Sequence, residues 1–269
     1  MQITVGCDPE FFLKKGDKHV SAHDIVPGNK RNPFLFADGT GVQADGTAVE
    51  FNIRPSIDPR EFSANIERAL ADIRGIIPRD LEFDFSPSIV YPRKYFDKLP
   101  QQSKDLGCDP DFNAYSGRHN ISPTPPLGFE TMRTGAGHIH IGWTDNKDPH
   151  DRSHFWDCCT VTKALDHYFG LAKNLWDNDH RRQSLYGAKG AFRPKPYGCE
   201  YRVLSNAWLK YPKLWPWLFE SVRFVVDRTV ENKHPGYAYL YPQSLDDHNL
   251  WLRQTFGNKV PLIPKDFKE

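Results

Sequence analysis

Four short stretches of the chain set ionisable side chains among apolar neighbours: MQITVGCDPEFFLKK, GTAVEFNIRP, AGHIHIGW and CEYRVLS. Each is rich in β-branched or aromatic residues and bounded by Gly or Pro, which marks a strand. A strand sends alternate side chains to opposite faces, so the ionisable groups share one face while Ile, Val and Phe pack on the other. Between these stretches, PREFSANIERALADIRGII opens with Pro in its first turn and aligns Phe62, Ile66, Ala69, Leu70 and Ile73 at helical spacing. A longer helix is expected from about Asp151 to Leu175 and a third near Leu214 to Glu231. Strands and helices do not alternate as in a doubly wound sheet, so the expected class is α+β. One domain over 1–269 is expected, with an irregular excursion near 84–134, where Pro, Ser, Gly and Asn concentrate.

The 269 residues are enough to bury roughly three quarters of the unfolded surface. Lys and Arg number 35 against 34 Asp and Glu, so no global field gathers nucleic acid or an acidic membrane. No run of about eighteen apolar residues occurs and the N-terminus lacks the basic-then-apolar order of a signal peptide, so a cytoplasmic location without a membrane partner is expected. Five cysteines, Cys7, Cys108, Cys158, Cys159 and Cys199, form no CxxC pair and read as reduced thiols.

Asp8 and Glu10 are two apart, so on a strand both carboxylates face one way. Such a pair repels unless a cation lies between them, and magnesium prefers oxygen ligands; a solvated strand face would read the same. His138 and His140 share a face in the same way and suit a metal or a phosphate, although an ordinary histidine pair has this spacing too. Gly135 and Gly137 before them point to close backbone approach. Glu50 shares a face with Asn52 and Arg54, as it would on an edge strand with one wet side. The segment DHRRQSLYGAKGAFRPKPYGCEYRVLSN surrounds several glycines with Arg181, Arg182, Lys189, Arg193, Lys195 and Arg202. Guanidinium forks and exposed amides hold phosphates. With Tyr186, Phe192 and Tyr197 the same loop also suits nucleic acid, a reading that the neutral overall charge disfavours. Glu200 and Arg202 share a strand face, a metal-ligand candidate beside a phosphate-ligand candidate. GxxxxGK[ST] and GxGxxG are both absent, so phosphate handling would need carboxylate-held metals and arginines. GCDPEF at 6–11 is echoed by GCDPDF at 107–112 with unrelated flanks, and the echo reads as coincidence.

Taken in order, D-P-E, V-E-F-N, G-H-I-H-I-G and R-R...Y-G...R...Y-G-C-E-Y-R resemble the glutamine synthetase-like carboxylate-amine ligases. More specifically they resemble the phage-type COOH.NH2 ligases, or amidoligases, from Met1 to about Trp208. The resemblance implies an antiparallel sheet funnel with packed helices, two or three divalent cations (magnesium, with manganese also suitable), and ATP entering from one end. It assigns Asp8, Glu10, Glu50, His138 and Glu200 to metal, and sets His140 near the nucleotide. Arg181, Arg182, Arg193 and Arg202 fall to the phosphates, with Lys189 in the same basic segment. Arg193, Arg202 and Glu50 would act in catalysis. Asp8 stands where many relatives have Glu, and the second motif has one clear acid rather than two, with Asp45 available as the other.

The implied reaction phosphorylates a carboxylate with ATP and lets an amine displace the phosphate, joining small-molecule or peptide substrates, in a host cytoplasm if the chain is phage-encoded. Three other readings compete. A guanidino-type kinase would want a cysteine near its acceptor, but Cys199 faces away from Glu200. A metal-dependent oxygenase would use His138, His140 and one carboxylate. A nucleic-acid-binding or virion protein could retain the fold without activity.

Overall fold

Pro9 divides the first expected strand. It has no amide hydrogen to give to a ladder, and the chain forms β1 (Thr4–Cys7) and β2 (Glu10–Lys15) on either side of Asp8–Pro9. The computed structural model describes residues 2–104, 111–121, 124–125, 127–170, 172–230 and 244–269. Residues 7–10 are hydrogen-bonded on both flanks. Ile53 donates to the Cys7 carbonyl and Phe51 to that of Pro9; on the other side Asp8 donates to the His138 carbonyl and Glu10 to that of Ala136. This short segment therefore joins two largely antiparallel sheets, and Asp8 and Glu10, both bonded on the side of residues 136–138, keep the expected alternation and face one cavity.

The second sheet grows from β2 through β3 (Lys18–Val20), β4 (Gly28–Asn29), β5 (Asn32–Leu35), β6 (Gly41–Asp45) and β7 (Ala48–Asn52), in the order β3-β2-β7-β6-β4-β5 among the described residues. Helix α1 (Pro59–Ile76) follows, as its periodicity requires. Asp58 caps it by accepting from the amides of Arg60 and Glu61, and Phe62, Ile66, Ala69 and Ile73 are buried. β8 (Glu82–Asp84) then pairs with the outer half of β2.

The described parts of the 84–134 excursion carry short elements. These are β9 (Ser88–Val90), the single-turn helices α2 (Arg93–Phe96) and α3 (Gln101–Lys104), β10 (Phe112–Asn113), β11 (Arg118–His119) and β12 (Met132–Thr134), which pairs with β9. Residues 107–110 of the GCDPDF echo, with Cys108, lie outside the described residues.

β13 (Ile139–Gly142) pairs with β1. The expected helix over 151–175 is shorter: α4 (Arg152–Leu165) gives way to a wider π-turn at Asp166–Gly170 and a 3-10 turn at Lys173–Leu175. At the break Asp166 accepts a hydrogen bond of 2.7 Å from the Tyr201 hydroxyl, which ties the widened turn to the sheet. The chain continues through α5 (His180–Leu185), β14 (Ala191–Lys195), β15 (Gly198–Tyr201), α6 (Leu214–Val230) and α7 (Leu245–Phe256). The first sheet is ordered β1-β13-β15-β14-β10-β11. One buried apolar cluster runs from Ile3 to Phe267, and α1 meets α6 in it through Phe62 and Phe219, whose rings are 5.9 Å apart. Among the described residues no helix is long and apolar enough to cross a membrane.

Candidate active site

Strand register sets the ionisable side chains in two rows. Gly6 lies opposite His140, His140 opposite Glu200 and Glu200 opposite Arg193 across β1, β13, β15 and β14. In the other sheet Glu10 lies opposite Glu50 and Glu50 opposite Gln43. Directly opposed residues of an antiparallel pair share a face, and like charges so placed are destabilising. Asp8 stands at the corner between the rows. Gly135 and Gly137 hold the histidine strand close to its neighbour: a Cβ on Gly137 would fall 2.1 Å from the Ser205 carbonyl, and one on Gly135 2.3 Å from the Asn206 amide.

Around Glu200, only 1% exposed, the chain gathers cations. Arg202 donates to its Oε1, while Lys195 Nζ and Arg193 Nη1 lie 3.0 and 3.4 Å from its Oε2. His138 Nδ1 stands between Asp8 Oδ1 at 3.5 Å and Glu200 Oε1 at 3.4 Å. His140 Nε2 lies 3.0 Å from Asp8 Oδ2, out of hydrogen-bonding alignment, and its Nδ1 is bonded to the Tyr197 hydroxyl. Arg202 is fixed from two further directions: its Nε donates to Asp111 at 3.0 Å and its Nη2 to the Tyr186 hydroxyl, itself 3.2 Å from His138 Nε2. In the other row Gln43 donates to Glu50 at 2.8 Å and the Ala136 amide to Glu10 at 3.0 Å.

Two sets of donors come within 4.8 Å of one another, Asp8 with His140 and Glu200, and Glu10 with Asp45 and Glu50. Their electrostatic states are opposite. Burial pushes Asp8 up, but the charges of His140 and His138 outweigh it and hold the carboxyl well below the usual range. Glu200 is likewise raised by burial and by Asp8, yet Arg202 and the two histidines hold it at about 2. Glu10 is pushed up to about 8, chiefly by burial and then by Asp45 and Asp8. Glu50 rises well above its ordinary value by burial and by the charges of Asp8, Glu10 and Asp45. The first set is thus compensated by protein cations and the second is not. The all-carboxylate set, in which Glu10 and Glu50 resist ionisation, fits a hard divalent cation, and the second, whose buried Asp8 Oδ1 and His140 Nε2 lack hydrogen-bond partners, offers two carboxylates and one imidazole to a divalent cation.

Asp8 and Glu50 wall two cavities. One is lined also by Glu10, Lys30, Arg133, Tyr186, Arg193 and Arg202. The other, of about 320 Å³, is lined by Gly6, Asn52, Ile53, Pro55, His140 and Tyr197 and contains no Lys or Arg.

Asp8, Glu10, Glu50, His138, His140, Arg193, Glu200 and Arg202 all come together here, as does Asp45. His140 groups with Asp8 and Glu200, and His138 Nδ1 lies between the same two acids. Three basic residues expected at the phosphates do not arrive. Arg182 is fully buried and donates to the carbonyls of Gly135, Val203 and Leu204. Arg181 points to solvent beside Asp179, and Lys189 lies over the Tyr115 ring, 4.7 Å from its centre. Lys195, Asp111, Tyr186, Tyr197 and Gln43 carry site contacts that the sequence reading did not assign. The echo motif was a usable signal for Asp111, which occupies in GCDPDF the place of Glu10 in GCDPEF. Cys199 is buried beside Cys158 on the far side of β15 from Glu200. Phe192 is buried, and the hydroxyls of Tyr186 and Tyr197 are engaged inside the site.

Residues 129–239, under half of the chain, match the family model for phage phiEco32-like COOH.NH2 ligase-type 2. No curated protein matches the chain. Among solved structures, the chain is similar to a novel glutamine synthase homolog at 11% identity and a TM-score of 0.45, over 94% of this chain and 61% of that one. It is also similar to a bifunctional glutathione synthetase from Pasteurella multocida at 10% identity and a TM-score of 0.44, over 96% of this chain and 45% of that one. The chain therefore spans less than two thirds of the length of either structure.

Two outcomes are expected. Arg182→Lys gathers its donors on one nitrogen and cannot reach the three separate carbonyls that Nε, Nη1 and Nη2 meet, so it should lower stability by about 2 to 3 kcal/mol in urea titrations, whereas Arg181→Ala should leave the melting temperature in place. The second concerns pH. Glu10, whose pKa is raised to about 8, contributes stability that is present below its ordinary value and lost as pH rises through 8. Glu200 and Asp8, whose pKa values are lowered, contribute stability that is lost as pH falls well below their ordinary values. In chelator the melting temperature should therefore fall between about pH 5.5 and about pH 8.5. Magnesium should reverse that fall and release protons on binding, as calorimetry in two buffers would register.

Proposed function

We propose that this chain is an ATP-dependent carboxylate–amine ligase that activates its carboxylate as an acyl phosphate, with magnesium or manganese held by Asp8, His140 and Glu200 and by Glu10, Asp45 and Glu50. The observation that carries the reading is the meeting of two hard-donor sets with Arg193 and Arg202 beside a cavity shared by both sheets. The family match supports it, since it covers His138, His140, Arg193, Glu200 and Arg202. Divalent cations there would neutralise charge developing on the transferred phosphoryl group.

The chain's own groups divide the remaining tasks. Arg202, buried and braced by Asp111, Glu200 and Tyr186, supplies a fixed positive charge that costs no reorganisation during reaction. Arg193, at the rim of the same cavity, is the more movable phosphate contact. Tyr197 turns His140 so that its Nε2 faces Asp8. Glu50, oriented by Gln43, borders both cavities and thus the space where the two substrates would meet. The cavity without Lys or Arg suits a neutral purine, and the basic one suits the carboxylate. Carboxylate attack on the γ-phosphorus releases ADP, and amine attack on the acyl phosphate forms the amide, releasing phosphate and a proton.

The reading is tested by incubating the protein with ATP, magnesium and pooled small carboxylates, peptides and amines. ADP release should require both pools and be matched by a new amide in the mass spectrum; ADP formed without amide, or no turnover with any pool, would overturn it. Two variants separate fold from chemistry. Glu10→Gln mimics the protonated side chain that the fold favours and should keep or raise the melting temperature while abolishing turnover. Glu200→Gln should abolish turnover and also cost stability, because it leaves the buried Arg202 without its main counter-charge.

A further inference from the structure

We propose that Lys195 is an internal counter-ion that competes with the divalent cation for Glu200 and so weakens the Asp8–His140–Glu200 site. The inference rests on the reading of that set as a metal site. Lys195 ends β14 opposite Gly198, across the turn at Pro196–Tyr197, which brings its ammonium diagonally to 3.0 Å from Glu200 Oε2. That carboxylate belongs to the donor set, and its other oxygen already accepts from Arg202. A cation that takes Oε2 meets Lys195 first, with Arg193 behind it at 3.4 Å, and a dication and an ammonium cannot share one oxygen without repulsion.

The three basic neighbours of Glu200 are unequal in freedom, Arg193 and Lys195 sharing Oε2 at 25% and 26% exposure, with Lys195 the nearer of the two. Arg202 is 5% exposed at its side chain and tied to Asp111 and Tyr186; Lys195 is 26% exposed on a flexible stem. Arg202 stays as the permanent partner while Lys195 is exchanged. Once displaced, its ammonium is free to meet an anion brought in with the metal, so cation and phosphate binding are coupled through one side chain.

Mn²⁺ binding to the full chain, followed by electron paramagnetic resonance and calorimetry, tests this without reference to turnover. Lys195→Met should bind Mn²⁺ about tenfold more tightly at one site, and Lys195→Arg should resemble the wild type. In a Glu200→Gln background the Lys195→Met gain should vanish. Inorganic triphosphate, titrated in the presence of magnesium, should bind Lys195→Met more weakly than wild type. An unchanged or weakened Mn²⁺ affinity in Lys195→Met overturns the inference, and so does a gain that persists without Glu200, which would report only altered net charge. A wild-type chain that binds no Mn²⁺ overturns both this inference and the metal half of the proposed function. The expected Mn²⁺ gain without any amide product upholds the inference and sinks the ligase alone.

Discussion

Gathering Asp8, Glu10, Asp45, Glu50 and Glu200 in one layer is the constraint around which the rest of the structure is arranged. Burial raises the cost of ionising Asp8, Glu10, Glu50 and Glu200, and neighbouring carboxylates add to it at the last three. The chain answers this unevenly. Around Glu200 it spends Arg202, Arg193, Lys195 and two histidines, and the acids there stay ionised. Around Glu10 and Glu50 it offers little beyond Gln43 and one backbone amide, and those acids resist ionisation. The contrast separates a half of the site that is electrostatically complete from a half that is not.

That layer rests on backbone that a buried guanidinium ties together. Arg182 draws the carbonyls of Gly135, Val203 and Leu204 together, linking the approach to the histidine strand with the exit of the Glu200 strand. Asp179 caps α5 by accepting from the Arg182 amide, and that helix leads directly into Tyr186, which braces Arg202. A basic residue that looks like a phosphate ligand in sequence is the bracket that keeps the ligands in place.

Much of this was legible in the sequence where the cause is local. Alternation marked β7, β13 and β15, and a Pro at the first turn with a five-residue apolar face marked α1 almost to its ends. The i, i+2 spacing of Glu200 and Arg202, and the glycines before His138, carried real geometric information. What was not legible depends on contacts distant in the chain. Adjacent Arg181 and Arg182 are chemically identical, and only the packing of α5 against residues 135 and 203–204 sends one to solvent and the other inside. The i, i+2 rule put Asp8 and Glu10 on one cavity but could not show that they fall into two different donor sets. The helix expected through Leu175 widened at Asp166 because a tyrosine on β15 holds it. The contacts that Asp111 and Lys195 make with Arg202 and Glu200 lie across strand partners, so the echo and the i, i+2 spacing from Arg193 could mark the residues but not their partners.

The opposition of Glu10 and Glu50 bears on how the chain finds its fold as well as on what the fold does. A slip of one residue between β2 and β7 would turn one strand over relative to the other, sending its glutamate into the apolar space and its Phe11, or Val49 and Phe51, toward water. The alternation of acid and apolar residues therefore excludes the odd registers, and the repulsion of the facing glutamates is a cost the chain carries in the one it adopts.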